Sequence, residues 1–129
     1  MRLLIAAAAA AFIALVAGCA QPGAGQPGLM DVAERPAEKA LLAGIRAYED
    51  AQYGDAEKHL DTALRTGLAS AKDRAVANKH LAFIYCTTNR VAECEAAFRA
   101  ARKADPAFAL SKSEAGHPLW GPVYRRALP

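Results

Sequence analysis

Leu81-Ala82-Phe83-Ile84-Tyr85-Cys86, then Cys94, Phe98 and Ala101, then Asp105-Pro106: this stretch decides the fold. Ala77, Leu81, Ile84 and Tyr85 recur at the three-and-four spacing that places side chains on one face of a helix. Cys94, Phe98 and Ala101 form a second such face, stopped at Asp105-Pro106 because proline cannot continue a helix. Upstream the same pair of faces recurs. Ala37, Leu41, Gly44, Tyr48 and Ala51 follow Pro36, which suits a first helical turn. Ala56, Leu60, Ala63 and Leu64 follow in turn, with Gly67 placed to end that helix. No segment alternates with period two among β-branched residues, so the sequence predicts an all-α fold.

Small residues at corresponding places give the two helix pairs a mechanical logic. Gly44 opposite Ala56, and Ala82 opposite Cys94, would let paired helices approach closely, while Leu60 and Phe98 fill the groove toward the next helix. A large residue at Ala56 should wedge the first pair open at about 1–3 kcal/mol. Leu81, Ala82, Tyr85, Cys94, Phe98, Ala101 and Pro106 in this order resemble the tetratricopeptide repeat, a helical hairpin of about 34 residues. The first unit matches with Gly44, Ala56, Leu60 and Ala63, but Tyr48 falls one place late and no proline closes it. The units are offset by 38 residues, which puts about four extra residues into the 68–74 connection. An unrelated four-helix bundle is the plainer alternative.

Two repeats leave end faces to cover. Ser111 and Glu114 have capping-box spacing, and Pro122 is placed to open a last helix through Leu128. Trp120, Val123 and Tyr124 are the largest apolar cluster outside the repeats. They are expected to seal the second repeat, with Trp120 and Tyr124 as the alternative docking surface, since such residues dominate interface hot spots.

The N-terminus has a different character. Arg2 precedes an uncharged run from Leu3 to Ala20, too short and alanine-rich for a firm membrane span. Val16-Ala17-Gly18-Cys19 resembles the lipobox of bacterial lipoprotein precursors. The resemblance implies a signal peptide over 1–18 and acylation of Cys19 as the mature first residue. Two or more acyl chains hold a protein at a membrane where one does not. By the same resemblance, Ala20 in place of aspartate implies the outer membrane and its periplasmic face. Soluble secretion or an uncleaved anchor are the alternatives. Residues 19–31 then form a lipidated, disordered Gly/Pro/Gln tether, and 32–129 the helical domain.

Charge and site chemistry exclude several classes. Losing Arg2 leaves fifteen Lys and Arg against thirteen Asp and Glu, which gives no case for nucleic acid. Cys86 and Cys94 lie near facing helix ends across a short turn, so a disulfide in an oxidising compartment competes with two buried free thiols. His59, His80 and His117 are scattered without metal-ligand spacing. Glu49, Asp50, Asp55, Glu57 and Asp61 read as solvated helix faces. No catalytic motif, metal site or cofactor is expected beyond the covalent lipid on Cys19.

The expectation is therefore a lipid-anchored adaptor that binds a protein partner. Arg46, Asn78 and Thr87, on the first helix of each pair, are candidates to face the partner. The run from Leu81 to Cys86, the Asp105-Pro106-Ala107-Phe108 turn and the tail His117-Pro118-Leu119-Trp120-Gly121-Pro122-Val123-Tyr124 together resemble the TssQ-like lipoproteins associated with type VI secretion. That resemblance implies an accessory envelope component of the secretion machine, with an envelope protein as partner. A pilotin or outer-membrane assembly factor, and a peptidoglycan-associated structural lipoprotein, are the alternatives. The sequence sets no oligomeric state.

Overall fold

The computed structural model describes residues 28–129, and the regular structure among them is entirely helical. The helices are α1 (Leu29–Ala33), α2 (Pro36–Glu49), α3 (Tyr53–Thr66), α4 (Ala71–Thr87), α5 (Val91–Ala104), α6 (Lys112–Ala115) and α7 (Gly121–Ala127). As expected, the fold is all-α, with hairpins α2–α3 and α4–α5 and a C-terminal segment that closes the second hairpin. The α4 helix packs on both α2 and α3, and α7 packs on α5. No helix among the described residues is long and apolar enough to cross a membrane. The signal peptide expected over 1–18, Cys19 and most of the tether lie outside the described residues. The tether's last residues differ from expectation: Leu29–Ala33 is helical, and the Gly28 N–H donates to Asp31 Oδ2 at 3.1 Å. The Gly/Pro spacing ends at Gly28, so nothing after it prevents a helical turn.

The two hairpins turn by the same backbone device. In the first, the N–H groups of Ala51 and Gln52 donate to the carbonyls of Tyr48 and Ala47 at 3.0 and 2.8 Å, and Ala51 has a φ of 58°. In the second, Asn89 and Arg90 donate to Cys86 and Tyr85 at 3.3 and 2.7 Å, and Asn89 has a φ of 62°. Each position is displaced by the same 38 residues seen in the sequence. Gly67, with a φ of 102°, ends α3 in the left-handed conformation that glycine adopts without steric cost.

The extra connection length is used differently from the sequence expectation. Three of the added residues lengthen α4 to 17 residues against 14 in α2, with Ser70 capping its start by accepting from the Asp73 N–H. What remains of the loop is tied from both sides. Leu68 is buried, Glu38 of α2 accepts from the Ala69 N–H at 3.3 Å, and Arg74 Nη1 donates to the Leu68 carbonyl at 2.8 Å.

Phe98, Leu60, Ile84 and Cys94 are the largest fully buried side chains. The close approach inside the first hairpin involves Gly44 and Leu60. A Cβ on Gly44 would stand 2.8 Å from Leu60 Cγ and 3.2 Å from its backbone N. Leu60 thus fills the space over Gly44, and Ala56 is buried nearby without being its closest neighbour. Phe83 lies at the centre of an aromatic cluster, with the rings of Tyr48, His80, Phe98 and Trp120 at 6.2, 6.1, 6.1 and 4.2 Å.

Candidate functional site

Between the second helices of the two hairpins runs a shallow recess of about 350 Å³, floored by α4. Asn78, Leu81 and Tyr85 form the floor, spaced so that they share one face of α4. Asp61 and Leu64 of α3 make one wall; Glu93, Ala96, Ala97 and Ala100 of α5 make the other. Leu81 and Ala97 are buried, Leu64, Tyr85 and Ala100 half-buried, and Ala96 and Glu93 exposed. Alanine is what opens the space, because larger side chains on that face of α5 would fill it.

The groove is electrostatically one-sided. Its lining contains two carboxylates and no Lys or Arg. Asp61 is half-buried, and burial, reinforced by the negative charge of Glu57, pushes its carboxyl above the ordinary value against the weaker pull of Arg65 and Arg90. Next to the groove, Glu57 receives both terminal nitrogens of Arg90 at 3.0 and 2.7 Å. That hydrogen bonding holds the Glu57 carboxyl below its ordinary value although burial opposes it. Arg90 also stands 4.5 Å from the centre of the Tyr85 ring, at the end of the floor.

The residues expected to bind a partner do not gather at one place. Asn78 is in the groove, with its Nδ2 donating to the Arg74 carbonyl at 2.9 Å. Arg46 is exposed on α2, and Thr87 is half-buried at the end of α4; neither lines the groove. Trp120 takes the sealing role expected of it rather than the docking alternative: it is 9% exposed, stacks on Phe83 at 4.2 Å, and donates from Nε1 to the Glu114 carbonyl. Tyr124 is likewise structural, with its hydroxyl accepting from the Leu110 N–H and its ring against Phe98. Aromatics in a small repeat end are consumed by sealing it, because two hairpins alone cannot cover Phe83 and Phe98.

The packing residues fall mostly where the spacing put them. Ala56, Leu60, Leu81, Ala82 and Phe98 are buried, and Tyr85 is half-buried over the groove. Pro106 is exposed; it follows the end of α5 and packs against no core. Cys94, like Ala82, is fully buried. Cys86 and Cys94 are bonded, with Cα atoms 5.2 Å apart, stapling α4 to α5.

Glu57 and Asp61 are corrected from solvated helix face to half-buried groups at the groove, while Glu49, Asp50 and Asp55 are exposed as expected. The groove walls were not singled out from the sequence. A signal existed in Glu93, Ala96, Ala97 and Ala100, which share one helical face, but alanines at that spacing also describe ordinary helix packing. His80 is packed between Tyr48 and Phe83, His117 stacks on Trp120, and His59 is exposed. Compared with known protein families, curated proteins and solved structures, the chain matches none of them.

Proposed function

We propose that this chain is an outer-membrane lipoprotein adaptor, held by acyl chains on Cys19, that binds a protein partner as an accessory component of a type VI secretion system. The observation that carries the adaptor reading is the groove between α3 and α5, which leaves Leu64 and Tyr85 half-open beside the half-buried Asp61 carboxylate. Burying a partner there removes apolar area from water at about 25 cal/mol per Å². The secretion setting rests on the resemblance of the tail and of the Leu81–Cys86 run. Because Trp120 and Tyr124 of that tail serve the cap, the groove remains for recognition.

Two measurements test the reading. Cys19→Ser should move the protein from the membrane to the soluble periplasmic fraction. A photo-crosslinker at Ala96 should give a discrete adduct with a secretion-machine envelope protein in cells, lost when Ala100→Trp fills the groove. No groove-dependent adduct would refute the adaptor. An adduct with a secretin or a barrel precursor would replace the secretion assignment with a pilotin or assembly factor. Co-sedimentation with sacculi that survives Ala100→Trp, with no adduct, would replace it with a structural lipoprotein.

A further inference from the structure

Resting on the adaptor reading, we propose that the groove's occupant is an amphipathic helix of the partner, with Lys or Arg on both flanks of its apolar stripe. One cation meets Asp61 and the other meets Glu93. The two carboxylates stand on opposite walls, Asp61 on α3 and Glu93 on α5, with the apolar floor between them. Neither has an ion-pair partner among the described residues; Glu57, the adjacent acid, is occupied by Arg90. Both groups stand at the rim of the contact, where a facing cation is favoured and a facing carboxylate is repelled, so an acidic segment would bind less well. Burial and Glu57 outweigh the pull of Arg65 and Arg90 on Asp61, so a facing cation is favoured there.

The walls also select the occupant's secondary structure. Floor and walls are side chains of three helices, which offer no free strand edge to a bound segment. An extended peptide would have to pair its N–H and C=O groups with water or side chains, whereas a helix satisfies them internally. The Ala96, Ala97 and Ala100 wall permits the axis spacing of about 8–10 Å at which helices pack. The second recess, about 260 Å³ beside Phe108, lacks this signature: it mixes Lys72 and Lys79 with Asp105, and Lys79 is already paired with Glu114 at 2.7 Å.

The test uses the mature chain carrying Cys19→Ser and three synthetic peptides of about 18 residues, five turns of helix. One has a leucine stripe flanked by lysines; one has the same stripe flanked by glutamates; one has the lysine peptide's composition permuted to abolish the stripe. The lysine-flanked helix should bind saturably and shift the amide resonances of Leu64, Leu81 and Ala97. The other two should not. Asp61→Asn with Glu93→Gln should weaken binding roughly three- to tenfold, the scale of two rim ion pairs. Should the double variant fail to fold, Glu93→Gln alone, at an exposed site, should still weaken it. Equal binding of the glutamate or permuted peptide, no binding of the lysine peptide, or no effect of the neutral variants would overturn the proposal. The adaptor reading is judged separately by the Ala96 crosslink, in which no peptide takes part.

Discussion

Arg90 holds Glu57 across the junction of the two hairpins, with Nη1 and Nη2 3.0 and 2.7 Å from the two carboxylate oxygens. The same guanidinium lies over the Tyr85 ring. Both side chains are partly open to solvent, 36% and 26% exposed, so screening trims the Coulomb energy. Forked geometry and stacking place the pair at the upper end of the exposed range, about 1 kcal/mol. Arg90→Ala should lose about that much in urea unfolding, and Arg90→Lys should recover less than half, because an ammonium cannot fork. A double-mutant cycle with Glu57→Gln should show coupling that shrinks in high salt. Since the Glu57 carboxyl is held low chiefly by Arg90, its contribution is complete above the ordinary carboxylate range and is lost as pH falls through the folded value.

The repeated turn makes a second prediction. Ala51 and Asn89 occupy the same left-handed position, at φ 58° and 62°. Asparagine tolerates that conformation, whereas a left-handed alanine costs roughly 1–2 kcal/mol relative to its preferred regions. Ala51→Asn should therefore stabilise the domain, by about 0.5–1 kcal/mol, with no change elsewhere. Asn89→Ala should destabilise it by a similar amount. Thermal melting of both variants checks the pair, and equal melting temperatures would show that the turns relax.

That turn also shows how far the sequence could be read. Helical spacing and the 38-residue offset were legible because they depend on local periodicity and on small residues at fixed places, from Gly44 to Ala82. Pro36, Gly67 and the Ser111–Glu114 capping box act through their own backbone, and each does what its chemistry predicts. The groove was not legible. It arises where three helices fail to fill a volume, and no single residue signals such a gap. Trp120 was ambiguous for a related reason: a tryptophan that seals a small core and one that anchors a partner look alike until Phe83 is placed beneath it.

Trp120 provides the third prediction. It stacks on Phe83 at 4.2 Å and on His117 at 3.4 Å, and its indole N–H is satisfied by the Glu114 carbonyl at 2.8 Å. Glu114 itself is fixed by Lys79 and Ser111, which hold its carboxyl below the ordinary value although burial alone would raise it. Trp120→Ala should cost about 3–5 kcal/mol, a large part of the stability of a domain this size. The loss should appear as cooperative unfolding at lower denaturant. A docking hot spot would behave oppositely, losing partner binding with melting unchanged.

His80 sets the behaviour in mild acid. Burial depresses its imidazole and Lys79 adds to the effect, while the Val76 carbonyl, Glu114 and Glu49 pull the other way. Its Nδ1 lies 2.8 Å from the Val76 carbonyl, so the neutral ring with a proton on Nδ1 fits the site. The unfolded chain protonates this histidine near the ordinary value of about 6.5, whereas the folded chain resists. Below that pH the unfolded state binds more protons, so stability must fall as the pH drops toward the lower folded value. Above it, His80 adds no pH dependence. Urea unfolding should show full stability at pH 7–8 and a decline beginning below about 6.5. That decline should be reduced in His80→Phe, which keeps a ring against Tyr48 and Phe83. The carboxylates Glu57 and Glu114, both held low, act in a separate and more acidic window and should leave a second decline in the variant. A His80→Phe profile identical to the parent's between pH 7 and 5 would show that this half-buried ring does not control the acid response.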